Sequence, residues 1–382
     1  MFGRRAAGIA LPLILAAALG GHELPREVVR CPNSGDTLGA RFAWALREAS
    51  GRKYGTGFWI GYGIKRLMGE RSYIGSFDGD GKTANLTVEE IIAGKRIENL
   101  LDRNRESVQT TARRVLEDLQ NEKRTETKVW KEIGVLLRYG AAGTSGLDRV
   151  EMTNLGLAFD FKGLPLVWIG EASDGESLPF IGKLYDASGA NGKLKEHLVA
   201  AAGIHGSPGL VVPFLDRILK SRDPDHVRKD AAFWMGQQND PAGLKILVQT
   251  VRTDASAEVR KNAVFSISEV ELEQAVDDLI DLARTADNRD VRHEAVFWLG
   301  QRASKKAEAA LENFAYKDSD SKVQEQAVFA LSELPDNEGV EPLIKIARTH
   351  PNPHVRKKAV FWLGESKDPR ALEALIAIVK GK

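Results

Sequence analysis

A ten-residue phrase that returns at a fixed step of 32 residues constrains the fold of this chain more than any other feature. It reads VRKDAAFWMG from Val227, and its copies begin at Val259, Val291, Val323 and Val355. A constant period of this length marks one supersecondary unit stacked on copies of itself. Because such a stack presents a long surface and encloses no pocket, the pattern favours binding over catalysis.

Each repeating unit divides into two helical stretches. Within the phrase, Val227, Ala231 and Met235 recur four residues apart, which is the spacing of one helix face. About half a period earlier lies a second apolar run, for example GLKILVQTVRT before Val259. Short polar stretches rich in turn residues, such as DASAE and HPNPH, separate the two. The unit is therefore predicted to be helix, tight turn, helix and loop.

The unit resembles the HEAT-repeat family, and within it the bacterial group of PBS-lyase HEAT-like repeats. The resemblance rests on the Val-Arg opening, the Ala four residues later, the Leu-Gly close and the Asp-rich turn before the phrase. It implies a mainly α fold, a right-handed α–α superhelix with the Val-Arg helices on its concave side. It also implies that Arg228, Arg260, Arg292 and Arg356 bond acceptors in neighbouring turns. Gln324 replaces this arginine in one unit, so we expect the ladder of bonds to be interrupted there.

The array extends upstream with decaying similarity. LKEHLVAAAG from Leu194 aligns with the phrase at a step of 33, and LPLVWIG ending at Gly170 aligns one step earlier. We predict a signal peptide over residues 1–21, a small α+β region over 22–160, and a solenoid of about seven units of 32–33 residues over 161–382. The segment FDFKGLPLVWIG at its start resembles the lead-in of exported bacterial HEAT-repeat proteins.

Large and small residues alternate at one core position of successive units. At this position every second unit has a tryptophan, and the units between them have Ala or Ser. The tryptophans are Trp168, Trp234, Trp298 and Trp362. Close packing accounts for the alternation, because an indole can fill the space that small neighbours leave. A binding role for the indoles is the alternative interpretation.

Phenylalanine recurs at a position of the phrase that should face away from the core. At roughly 100° per residue, it falls about 240° from the valine that opens the phrase. The five residues are Phe233, Phe265, Phe297, Phe329 and Phe361. Lysines stand four residues before three of them, and are therefore adjacent on the helix surface: Lys229, Lys261 and Lys357.

Two interpretations of the phenylalanines remain open. In the first, tight curvature of the stack buries each ring against the next unit, as for a helix that is apolar on all sides. In the second, the rings line the concave groove and grip a partner, since aromatic residues beside cations are typical of interface anchors.

The N-terminus has the pattern of an export signal. Arg4 and Arg5 precede an uncharged apolar run over residues 6–20, which is shorter than a membrane span requires. We therefore expect a periplasmic or secreted bacterial protein with no stable membrane insertion after cleavage; a retained anchor is the alternative. Cys31 is the only cysteine, so no intramolecular disulfide is expected.

The region after the signal is predicted to form a small sheet with some helix. Gly-rich aromatic runs typical of strands are GFWIGYGI, RSYIGSF, GVLLRYG and RVEMTNLGLAFDF. ARFAWALREAS reads as an amphipathic helix, and Thr87 with Glu90 has the spacing of a capping box.

No motif in the sequence predicts chemistry. The loop SFDGDGKT (76–83) lacks the first glycine of a P-loop and fits a calcium loop in neither register. HExxH, GxSxG and Cys-His ligand spacings do not occur, so we expect no catalytic residue, cofactor or metal. Lys plus Arg number 54 against 53 Asp plus Glu, a net charge of +1 that argues against nucleic-acid binding.

The sequence therefore predicts an exported, non-enzymatic scaffold that binds a protein or peptide along the concave face of its repeats. The alternative is an enzyme. The resemblance to PBS-lyase repeats implies that this enzyme could attach a bilin, as a lyase does. Another enzymatic activity could instead be carried by the N-terminal region.

Overall fold

The computed structural model describes residues 23–33, 35–70, 72–75, 86–94, 127–140, 146–302 and 304–380. The chain forms two compact units, Met1–Val211 and Val212–Lys382, and the division between them falls inside one helix, Pro208–Leu219. The predicted signal peptide and the loop SFDGDGKT lie outside the described residues.

A five-stranded mixed sheet is the centre of the N-terminal unit. Its strands are β1 (Val28–Arg30), β2 (Phe58–Gly69), β3 (Lys128–Tyr139), β4 (Leu147–Asn154) and β5 (Leu166–Glu171). They lie in the order β1-β5-β2-β3-β4, with β5 parallel to β1 and β2, and β3 antiparallel to β2 and β4. The predicted α+β region is confirmed. RSYIGSF is the exception, since its described residues, 72–75, form no strand.

Helices cover this sheet. They are α1 (Leu38–Gly51), α2 (Val88–Ala93), α3 (Asp174–Ala187) and α4 (Gly192–Gly203). The next helix along the chain, α5 (Pro208–Leu219), contains the division between the units. The capping box predicted at Thr87 and Glu90 is present at the start of α2. Ser173 and Glu176 make a second one at the start of α3.

Trp168 lies in strand β5, so its assignment as a repeat residue is wrong. The indole lies against β2 at Gly61, where a Cβ would come within 2.9 Å of Trp168 Cε3. The run from Leu166 to Ile169 is buried on both faces of the sheet, and a short apolar run of this kind fits a strand and a helix equally well. Among the described residues, six helices carry the phrase: α4 has the weakly similar copy from Leu194, and five later helices have the close copies. The predicted seventh copy, which ends at Gly170, is strand β5, because it pairs with β1 and β2.

The C-terminal unit is built of helices alone within its described residues. They are α6 (Asp225–Gly236), α7 (Pro241–Thr253), α8 (Ala257–Ser268), α9 (Glu273–Thr285), α10 (Arg289–Leu299), α11 (Lys305–Lys317), α12 (Ser321–Ser332), α13 (Val340–Thr349), α14 (Pro353–Glu365) and α15 (Pro369–Val379), with a 3₁₀ turn at Pro335–Asn337. The even-numbered helices from α6 to α14 carry the repeated phrase, and we call them the phrase helices. The predicted solenoid of helical hairpins is confirmed.

The phrase helices line the inner wall of the C-terminal unit. Each packs closely along the next from α6 to α14, whereas consecutive odd-numbered helices touch far less. Between α7 and α9 an open cavity of about 480 Å³ remains, with Leu244, Val248 and Asp278 among its lining residues. Because the stack is tighter on the side of the phrase helices, that side is concave, as the resemblance implied.

Arginines of the phrase tie neighbouring hairpins together. Arg228 Nη1 donates to Asp254 Oδ2 at 2.7 Å, and Arg292 Nη2 donates to Asp318 Oδ2 at 2.5 Å. Both carboxylates are almost fully buried. Since each aspartate belongs to the loop that precedes the next phrase helix, these bonds join one hairpin to the following one.

The remaining members of the ladder bond to loop carbonyls. Arg260 donates to Asp254 O at 2.7 Å and Arg356 to His350 O at 2.6 Å. Gln324 Nε2 donates to Asp318 O at 2.8 Å, the position equivalent to the Arg260 bond. The predicted interruption at Gln324 is wrong, because the shorter amide reaches the same carbonyl.

Candidate partner-binding surface

The repeated phrase places one phenylalanine ring per hairpin at the inner wall. On each phrase helix the valine and the alanine that follows it are buried in the core, as Val227 and Ala231 are. The phenylalanine six residues after the valine points to the other side and stays partly exposed. Phe361, in the last phrase helix, is 54% exposed.

The phenylalanine rings stack in pairs across neighbouring phrase helices. Phe233 and Phe265 have ring centroids 6.3 Å apart and planes inclined by 9°. Phe297 and Phe329 repeat this geometry at 6.1 Å and 15°. These separations lie in the range where offset aromatic rings attract one another.

Tryptophans join the stacked pairs into one continuous surface. Trp298 contacts Phe265 of the preceding phrase helix at 4.8 Å and Phe297 of its own helix at 4.9 Å. Trp362 joins Phe329 and Phe361 in the same way, both at 4.9 Å. With Trp234 on Phe233, the order of contacts is Trp234, Phe233, Phe265, Trp298, Phe297, Phe329, Trp362, Phe361. We call these eight rings the aromatic strip.

The two interpretations of the phenylalanines are each correct in part. Rings do contact the next unit, as the packing interpretation required, yet all of them keep part of their surface in solvent. The three indoles are likewise half-buried and belong to the strip, whereas we had placed them in the core. Their alternation with Ser266 and Ala330 was visible in the sequence, but the side to which the indoles turn was not.

A row of lysines runs along one edge of the strip. Lys229, Lys261 and Lys357 are each the fifth residue of a phrase helix, one turn before its phenylalanine. Within the described residues none of these three forms an ion pair, although Lys229 lies close enough to the Asp225 carboxyl to interact with its charge. Their ammonium groups can therefore still reach a partner. We call them the lysine row.

The two remaining positions of that edge carry no free positive charge at neutral pH. Burial lowers the pKa of the His293 imidazole, and its Nε2 atom has no hydrogen-bond partner among the described residues. Glu325 lies 3.7 Å from Lys358 in an exposed ion pair.

A row of glutamates, absent from the sequence-based prediction, runs along the opposite edge. Glu269, Glu333 and Glu365 follow Phe265, Phe329 and Phe361 by four residues. All three glutamates are exposed, and none forms an ion pair within the described part of the chain. The constant spacing from the phenylalanine was the signal that would have revealed this glutamate row.

The glutamate row opposes the helix dipole. Glu269 and Glu333 are the C-cap residues of α8 and α12, and Glu365 is the last residue of α14. A carboxylate at a helix C-terminus is disfavoured by about 0.3–1 kcal/mol. Charges that break a local rule repeatedly on one face indicate a role other than stability.

The N-terminal unit contains a Ser-His pair of the kind that hydrolases use. Ser177 Oγ lies 2.8 Å from His205 Nε2 and 2.9 Å from the hydroxyl of Tyr62. All three residues are fully buried. In this structure the serine is therefore closed to a substrate carbonyl. No sequence motif marks the pair, because Tyr62 lies in β2, Ser177 lies in α3 and His205 follows α4.

Burial of His205 makes the stability of the N-terminal unit depend on pH. His205 Nδ1 lies 3.1 Å from Ala202 O, so the neutral ring donates there and accepts from Ser177 at Nε2. Burial lowers the pKa of His205, although Asp174 partly opposes this. A base whose pKa is lower in the folded state stabilises the fold above the unfolded pKa, about 6.5, and this stability is lost as pH falls below it.

We expect hydrogen exchange of the β2 amides to accelerate, beyond its intrinsic pH dependence, as pH falls from about 7.5 to 5. His205→Gln should flatten this dependence, because glutamine binds no proton in that range. An unchanged pH profile in His205→Gln would show that another group is responsible.

The described residues offer no other site of recognisable chemistry. They contain no group of three His, Cys, Asp or Glu side chains arranged to hold a metal ion. Of the helices described, none has the length and apolar character needed to span a membrane.

The family model of HEAT repeats matches residues 211–300, 276–344 and 308–382. These ranges together cover every phrase helix from α6 to α14, with the aromatic strip and both charged rows. Residues 211–382 therefore consist of HEAT repeats.

Several solved structures resemble the chain. Human deoxyhypusine hydroxylase in complex with glycerol is 22% identical over 52% of this chain and 77% of that chain, with a TM-score of 0.24. The complex of CpcE and CpcF of phycocyanin lyase from Nostoc sp. is 21% identical over 47% and 73%, with a TM-score of 0.30. The S. pombe condensin Cnd3-Cnd2 subcomplex is 15% identical over 55% and 38%, with a TM-score of 0.25. No curated protein matches the sequence.

These structural neighbours include enzymes as well as a subunit complex. At such identities and TM-scores the likenesses carry no argument about activity, and the surface of this chain has to be judged on its own residues.

Proposed function

We propose that this protein is a non-enzymatic scaffold that binds a protein or peptide partner along the aromatic strip. The observation that carries the proposal is the continuity of the strip: eight rings in unbroken contact, each partly exposed, cross all five phrase helices. Contiguous apolar surface that stays in contact with solvent is typical of an interaction site.

The shape and the chemistry of the inner wall support the same function. Close packing of the phrase helices makes the strip a preformed surface, so a partner binds without first ordering it. Aromatic residues concentrate binding energy at interfaces, and the unpaired charges on both edges add selectivity.

Catalysis is not part of the proposal. The Ser177-His205 pair is fully buried, and within the described part of the chain the partly exposed strip carries neither a nucleophile beside a base nor a ring of ligands. We further propose that the scaffold acts outside the cytoplasm. That part rests on the apolar run after Arg4 and Arg5 alone.

A photo-crosslinking amino acid at Phe297 tests the proposal. In extract or envelope fractions of the source cell, we expect irradiation to link this variant to a discrete partner, and excess unlabelled protein to compete the product away. The matched control carries the same amino acid at Leu372 of α15, an exposed apolar residue outside the strip.

Equal labelling at Phe297 and Leu372 would mean that the strip has no specific partner. If the amino acid at Leu372, but not the one at Phe297, crosslinks to a discrete partner that unlabelled protein competes away, the partner binds to a surface other than the strip. Either result removes the proposed function.

A further inference from the structure

The charges that flank the aromatic strip have opposite signs on its two edges, and this restricts what can lie on it. The lysine row precedes the phenylalanines by four residues, and the glutamate row follows them by four. Because both rows recur on several phrase helices, each edge has one sign of free charge along the strip.

The distance between the two rows matches the width of a helix. On the two phrase helices that carry both, eight residues separate the lysine from the glutamate, Lys261 from Glu269 and Lys357 from Glu365, and at 1.5 Å per residue this is about 12 Å. An α-helix with its side chains is roughly 10–12 Å across. A helix laid along the strip therefore brings one flank to the lysine row and the other to the glutamate row.

The length of the strip also suits a helix. Five phrase helices at spacings of roughly 8–10 Å extend over about 32–40 Å. A helix of about 24 residues covers that length. Its apolar stripe would meet the eight rings, the mode by which amphipathic helices occupy hydrophobic grooves.

On these grounds, and given the proposed function, we infer that the partner segment is an amphipathic helix with an apolar stripe, one acidic flank and one basic flank. The acidic flank lies over Lys229, Lys261 and Lys357. The basic flank lies over Glu269, Glu333 and Glu365. Opposite charges on the two edges also set the direction in which the helix runs along the array, since reversing it would place like charges together.

Synthetic peptides of about 24 residues test this inference against the full-length protein by fluorescence anisotropy. All share one leucine stripe. The first has an acidic and a basic flank, the second two acidic flanks, and the third two basic flanks. We expect the first to bind about tenfold more tightly than the others, from several exposed charge pairs acting together, and its affinity to fall as salt rises.

Reversal of the lysine row changes the preferred peptide. In the triple variant Lys229→Glu, Lys261→Glu, Lys357→Glu, both edges are acidic, so the peptide with two basic flanks should become the tightest ligand. The matched control reverses three exposed cations on odd-numbered helices, Lys245→Glu, Arg284→Glu and Arg348→Glu, with the same change in net charge. It should leave the order of the peptides unchanged.

A fourth peptide, with the charges of the first but two central prolines, tests the helical form. It should bind at least tenfold more weakly than the first, because proline breaks the helix. Equal binding would show that the occupant is extended and would overturn the inference.

The remaining outcomes separate this inference from the proposed function. If the first three peptides bind equally, or if none binds, while Phe297 still crosslinks to a competable partner, the inference is wrong and the proposed function stands. If no peptide binds and Phe297 labels nothing specific, both fall.

Discussion

Replacing Phe265, Phe297 and Phe329 together by serine is expected to lower the free energy of unfolding of the C-terminal unit by about 4 kcal/mol and to abolish partner binding. Full burial of a phenylalanine is worth about 3–5 kcal/mol against alanine, so a half-buried ring contributes roughly a third to a half of that. Phe297 and Phe329 are stacked, so their losses will not add independently. Calorimetry of the full chain measures the first effect, and crosslinking from position 233 measures the second.

The control for the triple serine variant is Leu372→Ser with Ile376→Ser in α15. Both residues are large, apolar and exposed, at 62% and 45%, and lie outside the aromatic strip. Their replacement should change stability by no more than about 0.5 kcal/mol each and leave crosslinking intact. If the triple variant melts early yet still captures the partner at a temperature where it is folded, the rings serve packing alone.

Gly300→Ala is expected to destabilise the C-terminal unit by about 2–3 kcal/mol, although it adds a single methyl group. A Cβ at Gly300 would lie 2.6 Å from the carbonyl oxygen of Ala330 and 2.9 Å from its Cα, both of which belong to the backbone of α12. Relief requires the two phrase helices to move apart, which also strains the stacked rings between them. We expect the calorimetric transition of this unit to fall by about 5–10 °C.

Gly364 supplies a control at the same position of the phrase. No atom lies within 4 Å of a Cβ built there, and the residue is helical, near the end of α14. Gly364→Ala should therefore be neutral or stabilise the unit by up to about 1 kcal/mol, the usual gain of alanine over glycine in a helix. Similar losses in Gly300→Ala and Gly364→Ala would contradict the close approach of α10 and α12.

The repeat made most of the C-terminal fold predictable. A strict period and a spacing of four between core residues define which face of each helix is buried, and so place Phe233 and its equivalents away from the core. The free surface of the rings was not predictable, because it depends on how tightly the phrase helices pack. The glutamates were overlooked because Glu269 and Glu333 stand just beyond the helices.

Predictions failed where local sequence allows two structures. The run from Leu166 to Ile169 is apolar without a helical or a strand period, and its pairing with β1 and β2 decides the matter. Gln324 was judged by its residue type, whereas its function depends on the distance to one carbonyl. The Ser177-His205 contact joins residues 28 positions apart, and nothing local in the sequence marks it.

Buried Arg–Asp pairs join the phrase helices at every second junction, where a junction is the contact between one phrase helix and the next. Arg228–Asp254 and Arg292–Asp318 lie at the same junctions as the two phenylalanine stacks. The junction between α8 and α10 has no such buried pair; there Phe265 contacts Trp298, and Arg302 Nη1 donates to Ser268 O at 2.7 Å. In a linear array each junction contributes its own coupling energy. Under tension the C-terminal unit should therefore open first at the junctions that lack a buried Arg–Asp pair, and a partner that spans such a junction would stiffen it.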